Sequence, residues 1–122
     1  MLELSRIPGY DWCGIYRLEG DTLVLDAFVG ANTDHTRIPV GRGVCGAAVA
    51  EDRNQVVADV SRLDNYLSCS ADTKSEIVVL IKLGGTILGQ VDVDSHTSGA
   101  FGVDDEKFLS EIGELIASRW ES

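Results

Sequence analysis

Three kinds of side chain in this chain are suited by type and spacing to chemistry: thiols, clustered carboxylates and aromatics. Cys45 lies in the run Gly41-Arg42-Gly43-Val44-Cys45-Gly46. The run reads as a glycine-rich entry to a helix, where unpaired backbone N–H groups favour a thiolate over a thiol. Cys69 sits between Ser68 and Ser70 in a polar stretch, which predicts an accessible sulfur. Asp92 and Asp94 are two apart in an otherwise apolar strand pattern, so both carboxylates point to one face while Val91 and Val93 point to the other. Two carboxylates on one face suit a cationic group such as an α-ammonium, and Glu76, at the head of an apolar strand, can join them. Trp12 and Tyr16 are four apart in another strand pattern and share a face as well. On the face of Asp92 and Asp94 they would form an aromatic wall beside an acidic floor, a pocket for a small ligand with one apolar and one cationic end. Each group also has a bland counterpart: cysteines buried as small hydrophobes, acids on a solvated face, aromatics in a core. Cys13, alternating with Trp12, reads as such a small core residue. His35 lies in a loop, where a lone histidine is ordinarily solvated.

The chain that must position these residues has 122 of them, the size of one domain, and residues 1–122 are expected to form one unit with a short leading segment 1–11. Ten Lys+Arg against twenty Asp+Glu give a formal charge of −10. That balance argues against nucleic acid and against a polybasic membrane patch, both of which need cations. Apolar residues make up 44%, too many for a wholly disordered chain. No apolar run approaches the roughly 18 residues of a membrane span. The N-terminus lacks the pattern of a secretory signal. Three cysteines, an odd number, do not read as a disulfide scaffold, and a reducing, cytoplasmic setting is expected. There is no CxxC, and His35 and His96 are far apart, so the spacing carries no metal signature and no cofactor is expected.

Trp12 to Leu18 and Thr22 to Val29 read as strands joined by a tight turn at Gly20-Asp21. Ala31 to Ile38 reads as loop, Ala47 to Ala50 as a short helix, and 61–75 as a long surface loop of the kind that is often functional. Glu76 to Ile81 and Thr86 to Val93 read as central strands flanking Gly84-Gly85. Phe108, Leu109, Ile112, Leu115, Ile116 and Ala117 share one face of a C-terminal helix, with Asp104 and Asp105 placed to cap it. This order indicates an α+β domain: a central antiparallel sheet flanked by helices.

These segments, in order, resemble a known family. Trp12-Cys13-Gly14-Ile15-Tyr16, Arg37 through Gly46, Val57-Ala58-Asp59-Val60, Ser75-Glu76-Ile77-Val78-Val79 and Asp92-Val93-Asp94-Ser95 are similar to the GAF-domain free methionine-(R)-sulfoxide reductases. The resemblance implies a GAF-like fold and reduction of free methionine sulfoxide through a cysteine sulfenic acid and a disulfide. It implies Cys69 as nucleophile and Cys45 as second redox cysteine. Glu76, Asp92 and Asp94 would hold the amino group and help polarise the sulfoxide, and Trp12 and Tyr16 would line the S-methyl pocket. A thioredoxin-like dithiol would regenerate the enzyme, and a homodimer is compatible with the family. His35 stands where the family commonly carries a third cysteine, Leu80 where it often carries proline, and only eleven residues precede Trp12. A non-catalytic GAF sensor, or a thiol redox sensor without substrate, is the alternative that would share the fold.

Overall fold

The computed structural model describes residues 6–30, 33, 35–60 and 73–120. Strands β1 (Trp12–Glu19) and β2 (Thr22–Val29) form a hairpin turning at Gly20, whose φ of 66° only glycine adopts freely. Strands β5 (Ser75–Leu83) and β6 (Thr86–Ser95) form a second hairpin. Both turn residues there, Gly84 and Gly85, have positive φ, as a two-residue hairpin with the native twist requires. With β3 (Arg37–Pro39) and β4 (Gln55–Val57) they make a six-stranded sheet in the order β3-β2-β1-β6-β5-β4, antiparallel at every pairing.

Period-2 alternation in β1, β5 and β6 divides the interior into two cores. On one face, Cys13, Ile77, Val79, Ile81, Val91 and Val93 pack under the C-terminal helix α2 (Val103–Trp120). On the other, Trp12, Tyr16, Val78 and Leu80 pack under helix α1 (Gly43–Glu51) with its Val44, Cys45 and Ala48. The α+β class and the antiparallel sheet with a helix on each face are as the sequence predicts.

Three local readings need correction. The stretch read as loop up to Ile38 ends in strand β3, an edge strand where Ile38 pairs with Leu23 and is buried. Helix α1 starts at Gly43, not Ala47, so Cys45 lies inside its first turn. In α2 the buried face runs through Leu109, Gly113 and Ala117, with Ile116 and Trp120 packed beside it. Phe108 and Leu115 fall off that face, at 39% and 64% exposure. Asp105 does serve the helix start, accepting from the Gly102 N–H at 2.9 Å, the reach-back half of a capping box. It also accepts from the Tyr10 hydroxyl at 2.6 Å, tying the chain's leading segment to α2. Among the described residues no helix is long and apolar enough to cross a membrane.

Candidate active site

The site is built on the three central strands at the α1 face. Pairing register sets Trp12 opposite Asp94, and Asp94 opposite Glu76, in one row across β1, β6 and β5. The next row is Gly14, Asp92 and Val78; the one after is Tyr16, Gln90 and Leu80. Side chains of residues paired this way emerge on the same face, so the three acids and both aromatics converge. The acids are not on a solvated face: Glu76 and Asp94 are 1% exposed and Asp92 is fully buried. The strand-end position of Glu76, which could have left it in water, is covered.

The glycines of the second row and of the α1 entry make room. A Cβ on Gly14 would fall 2.2 Å from Trp12 Cη2, so the indole lies flat across the bare backbone of β1. A Cβ on Gly30 would meet Trp12 Cδ1 at 2.6 Å. Phe28, the β2 partner of Gly14, stacks on the same indole with ring centroids 5.8 Å apart and an 18° interplanar angle. The tryptophan is held in one orientation from several sides. Tyr16 is buried and its hydroxyl donates to the His35 carbonyl at 2.8 Å, which ties the β2–β3 connection down to the site.

The sequence Gly41-Arg42-Gly43-Val44-Cys45-Gly46 delivers the thiol. Gly41 and Gly43 have φ of 93° and 65°, and a Cβ on Gly46 would stand 2.6 Å from the Pro39 carbonyl oxygen. The turn closes through Gly41 N–H to Gly46 O at 2.8 Å and Gly46 N–H to Arg42 O at 2.9 Å. The result aims Cys45 down at the sheet. Its thiol donates to Asp92 Oδ2 at 3.2 Å, and Glu76 Oε2 lies 3.8 Å from the same sulfur. The neighbours of this thiol are therefore two carboxyl groups, a setting that the glycine-rich turn alone does not foretell. Thr73 Oγ1 reaches Asp94 Oδ2 at 3.5 Å from the other side. Sequence spacing hides a consequence of this convergence: one ligand atom each from Cys45, Glu76 and Asp92 all lie within 4.8 Å of one another.

Cys13 is on the opposite face, fully buried in the α2 core, as its alternation with Trp12 predicts. Burial, with Asp92 and Asp94 adding to it, pushes its thiol up to about 12. Cys69, the expected nucleophile, lies outside the described residues. Gln90 went unnoticed in the sequence. It is fully buried on the acid-bearing face, and neither its amide nitrogen nor its oxygen has a hydrogen-bond partner among the described residues. The signal was there: residues 90, 92 and 94 are polar in strict alternation with Val91 and Val93.

The GAF domain model matches residues 1–120. The chain belongs to the GAF domain family. Within it, the chain is 43% identical over 111 residues to the free methionine-R-sulfoxide reductase of Escherichia coli, covering 91% of this chain and 67% of that one. Its fold superposes with a TM-score of 0.91 on the type II free methionine-R-sulfoxide reductase of Thermoplasma acidophilum, at 41% identity, over 96% of this chain and 83% of that one. The free methionine-R-sulfoxide reductase of Neisseria meningitidis, solved in complex with its substrate, superposes with a TM-score of 0.90 at 38% identity, over 97% and 71% of the two chains. This GAF domain thus sits in the branch of the free methionine-R-sulfoxide reductases, as the motifs from Trp12 to Ser95 imply.

Proposed function

We propose that this GAF domain reduces free methionine (R)-sulfoxide to methionine at the pocket formed by Trp12, Tyr16, Glu76, Asp92, Asp94 and Cys45. The observation that carries the reading is the placement of a buried thiol 3.2 Å from one carboxylate and 3.8 Å from another, beside a clamped indole. A sensor of a small molecule needs no thiol in that position.

The substrate's α-ammonium sits among the carboxylates of Glu76, Asp92 and Asp94, and the S-methyl end lies against Trp12 and Tyr16. Three like charges cannot all form in one dry pocket, so a proton stays within the cluster. That proton goes to the sulfoxide oxygen and makes the sulfur a better electrophile. The Cys69 thiolate bonds to the sulfur of the protonated sulfoxide. The hydroxyl then passes from that sulfur to Cys69 Sγ as the new S–S bond breaks, so methionine leaves and Cys69 becomes a sulfenic acid. The Cys45 thiol then displaces the hydroxyl as water and closes a disulfide. His35 stands where the family commonly has a third cysteine, and in this reading Cys45, rather than an external thiol, takes the resolving role. A dithiol reductant such as thioredoxin supplies the two electrons that reopen the bond, and a reducing, cytoplasmic setting suits that step. A second copy of the chain is the further partner expected.

Specificity follows from charge. A methionine inside a polypeptide presents an uncharged amide where the free amino acid presents an ammonium. Incubation of the reduced protein with dithiothreitol and free methionine (R)-sulfoxide should release methionine, and a methionine-sulfoxide peptide should be a poor substrate. Cys69→Ser should abolish turnover; near-native activity in that variant would overturn the assignment of Cys69, and equal rates on the peptide would overturn the ammonium cage.

A further inference from the structure

We infer that the reduced, substrate-free pocket is also a site for one thiophilic divalent cation of the zinc class, held by Cys45 Sγ, Glu76 and Asp92, and that this cation shuts the enzyme off reversibly. The inference concerns the same pocket as the proposed reductase chemistry but rests on its donor geometry. Zinc binds cysteine sulfur at about 2.3 Å and carboxylate oxygen at about 2.1 Å, so tetrahedral coordination separates such donors by roughly 3.6 Å. The Cys45 sulfur stands 3.2 Å from Asp92 Oδ2 and 3.8 Å from Glu76 Oε2, which brackets that spacing. All three donors are buried and come from three different elements, α1, β5 and β6, so the set is fixed by the fold and not by one flexible loop.

Gln90 is a second observation pointing the same way. Its side chain is fully buried on the face of Asp92, two residues along β6. Its cross-strand neighbours, Tyr16 and Leu80, pack in the same cluster as Cys45. An amide buried with neither atom paired among the described residues is costly unless something polar enters beside it. Three protein donors leave a fourth tetrahedral position for a water, and Gln90, the buried amide on that face, would serve that water as an outer-shell partner. One thiolate and two carboxylates form a borderline-soft donor set that favours zinc over magnesium or calcium.

Binding exchanges the thiol proton for a metal–sulfur bond and releases one proton. It occupies the carboxylates that would receive the substrate ammonium and masks the thiol that would resolve the sulfenic acid. Zinc and substrate therefore compete, and oxidation of Cys45 abolishes metal binding.

The test titrates the reduced full chain with Co²⁺, which reports thiolate coordination by a sulfur-to-metal charge-transfer band, and then displaces it with Zn²⁺. One Co²⁺ per chain with that band is expected, with no displacement by excess Mg²⁺. The band should vanish in Cys45→Ala. Metal affinity should fall by at least about tenfold in Asp92→Asn, a near-isosteric variant that tests the site even where loss of the thiol harms folding, and by about tenfold in Gln90→Leu. In turnover assays Zn²⁺ should raise the apparent KM for methionine sulfoxide and a chelator should restore it. Absence of the band in the reduced protein, or its persistence in Cys45→Ala, overturns the inference. A chain that shows the band but never releases methionine upholds the metal site and sinks the reductase; one that releases methionine without the band does the reverse.

Discussion

The two faces of strands β1, β5 and β6 share a backbone and differ in almost everything else. On the α2 face, positions 13, 77, 79, 81, 91 and 93 are all small or aliphatic and buried, a core that only holds the sheet together. One residue along each strand, the α1 face buries Glu76, Gln90, Asp92 and Asp94 under a helix whose first turn brings a thiol. Burying acids and amides carries a desolvation cost that their hydrogen bonds must offset, so the α1 face adds less to stability than the wholly apolar α2 face. That division predicts that single substitutions on neighbouring residues will separate activity from stability.

Among substitutions on these three strands, Asp92→Asn should show the largest effect on turnover. Asparagine keeps the shape and an acceptor for Cys45 but carries no charge and no exchangeable carboxyl proton. Loss of acid–base function at such a position typically costs 10²–10⁴-fold, so kcat/KM for free methionine sulfoxide should fall by at least about 100-fold. The melting temperature should not drop. A variant that loses stability but keeps turnover would erase the contrast between the faces. The mirror experiment is Ile77→Ala, adjacent to Glu76 but aimed at α2. It opens a cavity in a dry core and should cost about 2–5 kcal/mol of stability, read by denaturant unfolding. The folded fraction should keep its KM.

The strands were legible from the continuous apolar run Ile77 to Ile81, from the alternation of Gln90, Asp92 and Asp94 with Val91 and Val93, and from turns marked by Gly20 and Gly84-Gly85. The pairing of Asp92 with Asp94 and of Trp12 with Tyr16 on shared faces follows from the same period. What the sequence concealed is long-range or anti-propensity. Cys45 meets Glu76 and Asp92 across 31 and 47 residues, a distance that no local pattern encodes. Helix α1 begins among glycines, poor helix formers, because positive φ and close backbone approach there outweigh propensity. Strand β3 is three residues long and lies at the edge, too short for a period. The apolar stripe of α2 is narrower than its composition, since Gly113 and Ala117 pack against the sheet while Leu115 faces out.

The faces should also differ in how their thiols respond to pH. Cys13 has its ionisation raised from 9.0 to about 12, by burial first and then by Asp92 and Asp94. A group whose folded value exceeds its unfolded value contributes stability that is complete below the unfolded value and is lost as pH rises toward the folded one. Tyr10, buried and hydrogen-bonded to Asp105, is raised as well. Stability should therefore decline between about pH 9 and 12, and Cys13→Ala should flatten part of that decline, apart from its own packing cost. At pH 8 an alkylating reagent should leave Cys13 unmodified in the folded protein. Labelling of Cys13 without unfolding would place a reactive thiol on the structural face.

The smallest effect tests the clamp on the indole. Phe28 is partly exposed near the end of β2 and meets the site through its stack on Trp12. Offset aromatic stacking is worth about 0.5–1.5 kcal/mol, which corresponds to roughly 2- to 12-fold in an equilibrium constant. Phe28→Ala removes the stack and leaves Gly14 and Gly30 still open beneath the ring, so the indole gains freedom without losing its place. The expected signature is a KM raised within that range, with kcat held, because an indole that positions the S-methyl end takes no part in proton or electron transfer. A fall in kcat of equal size would mean that Trp12 orients the sulfoxide in the transition state as well, and would make the aromatic wall as much a part of the chemistry as the acidic floor.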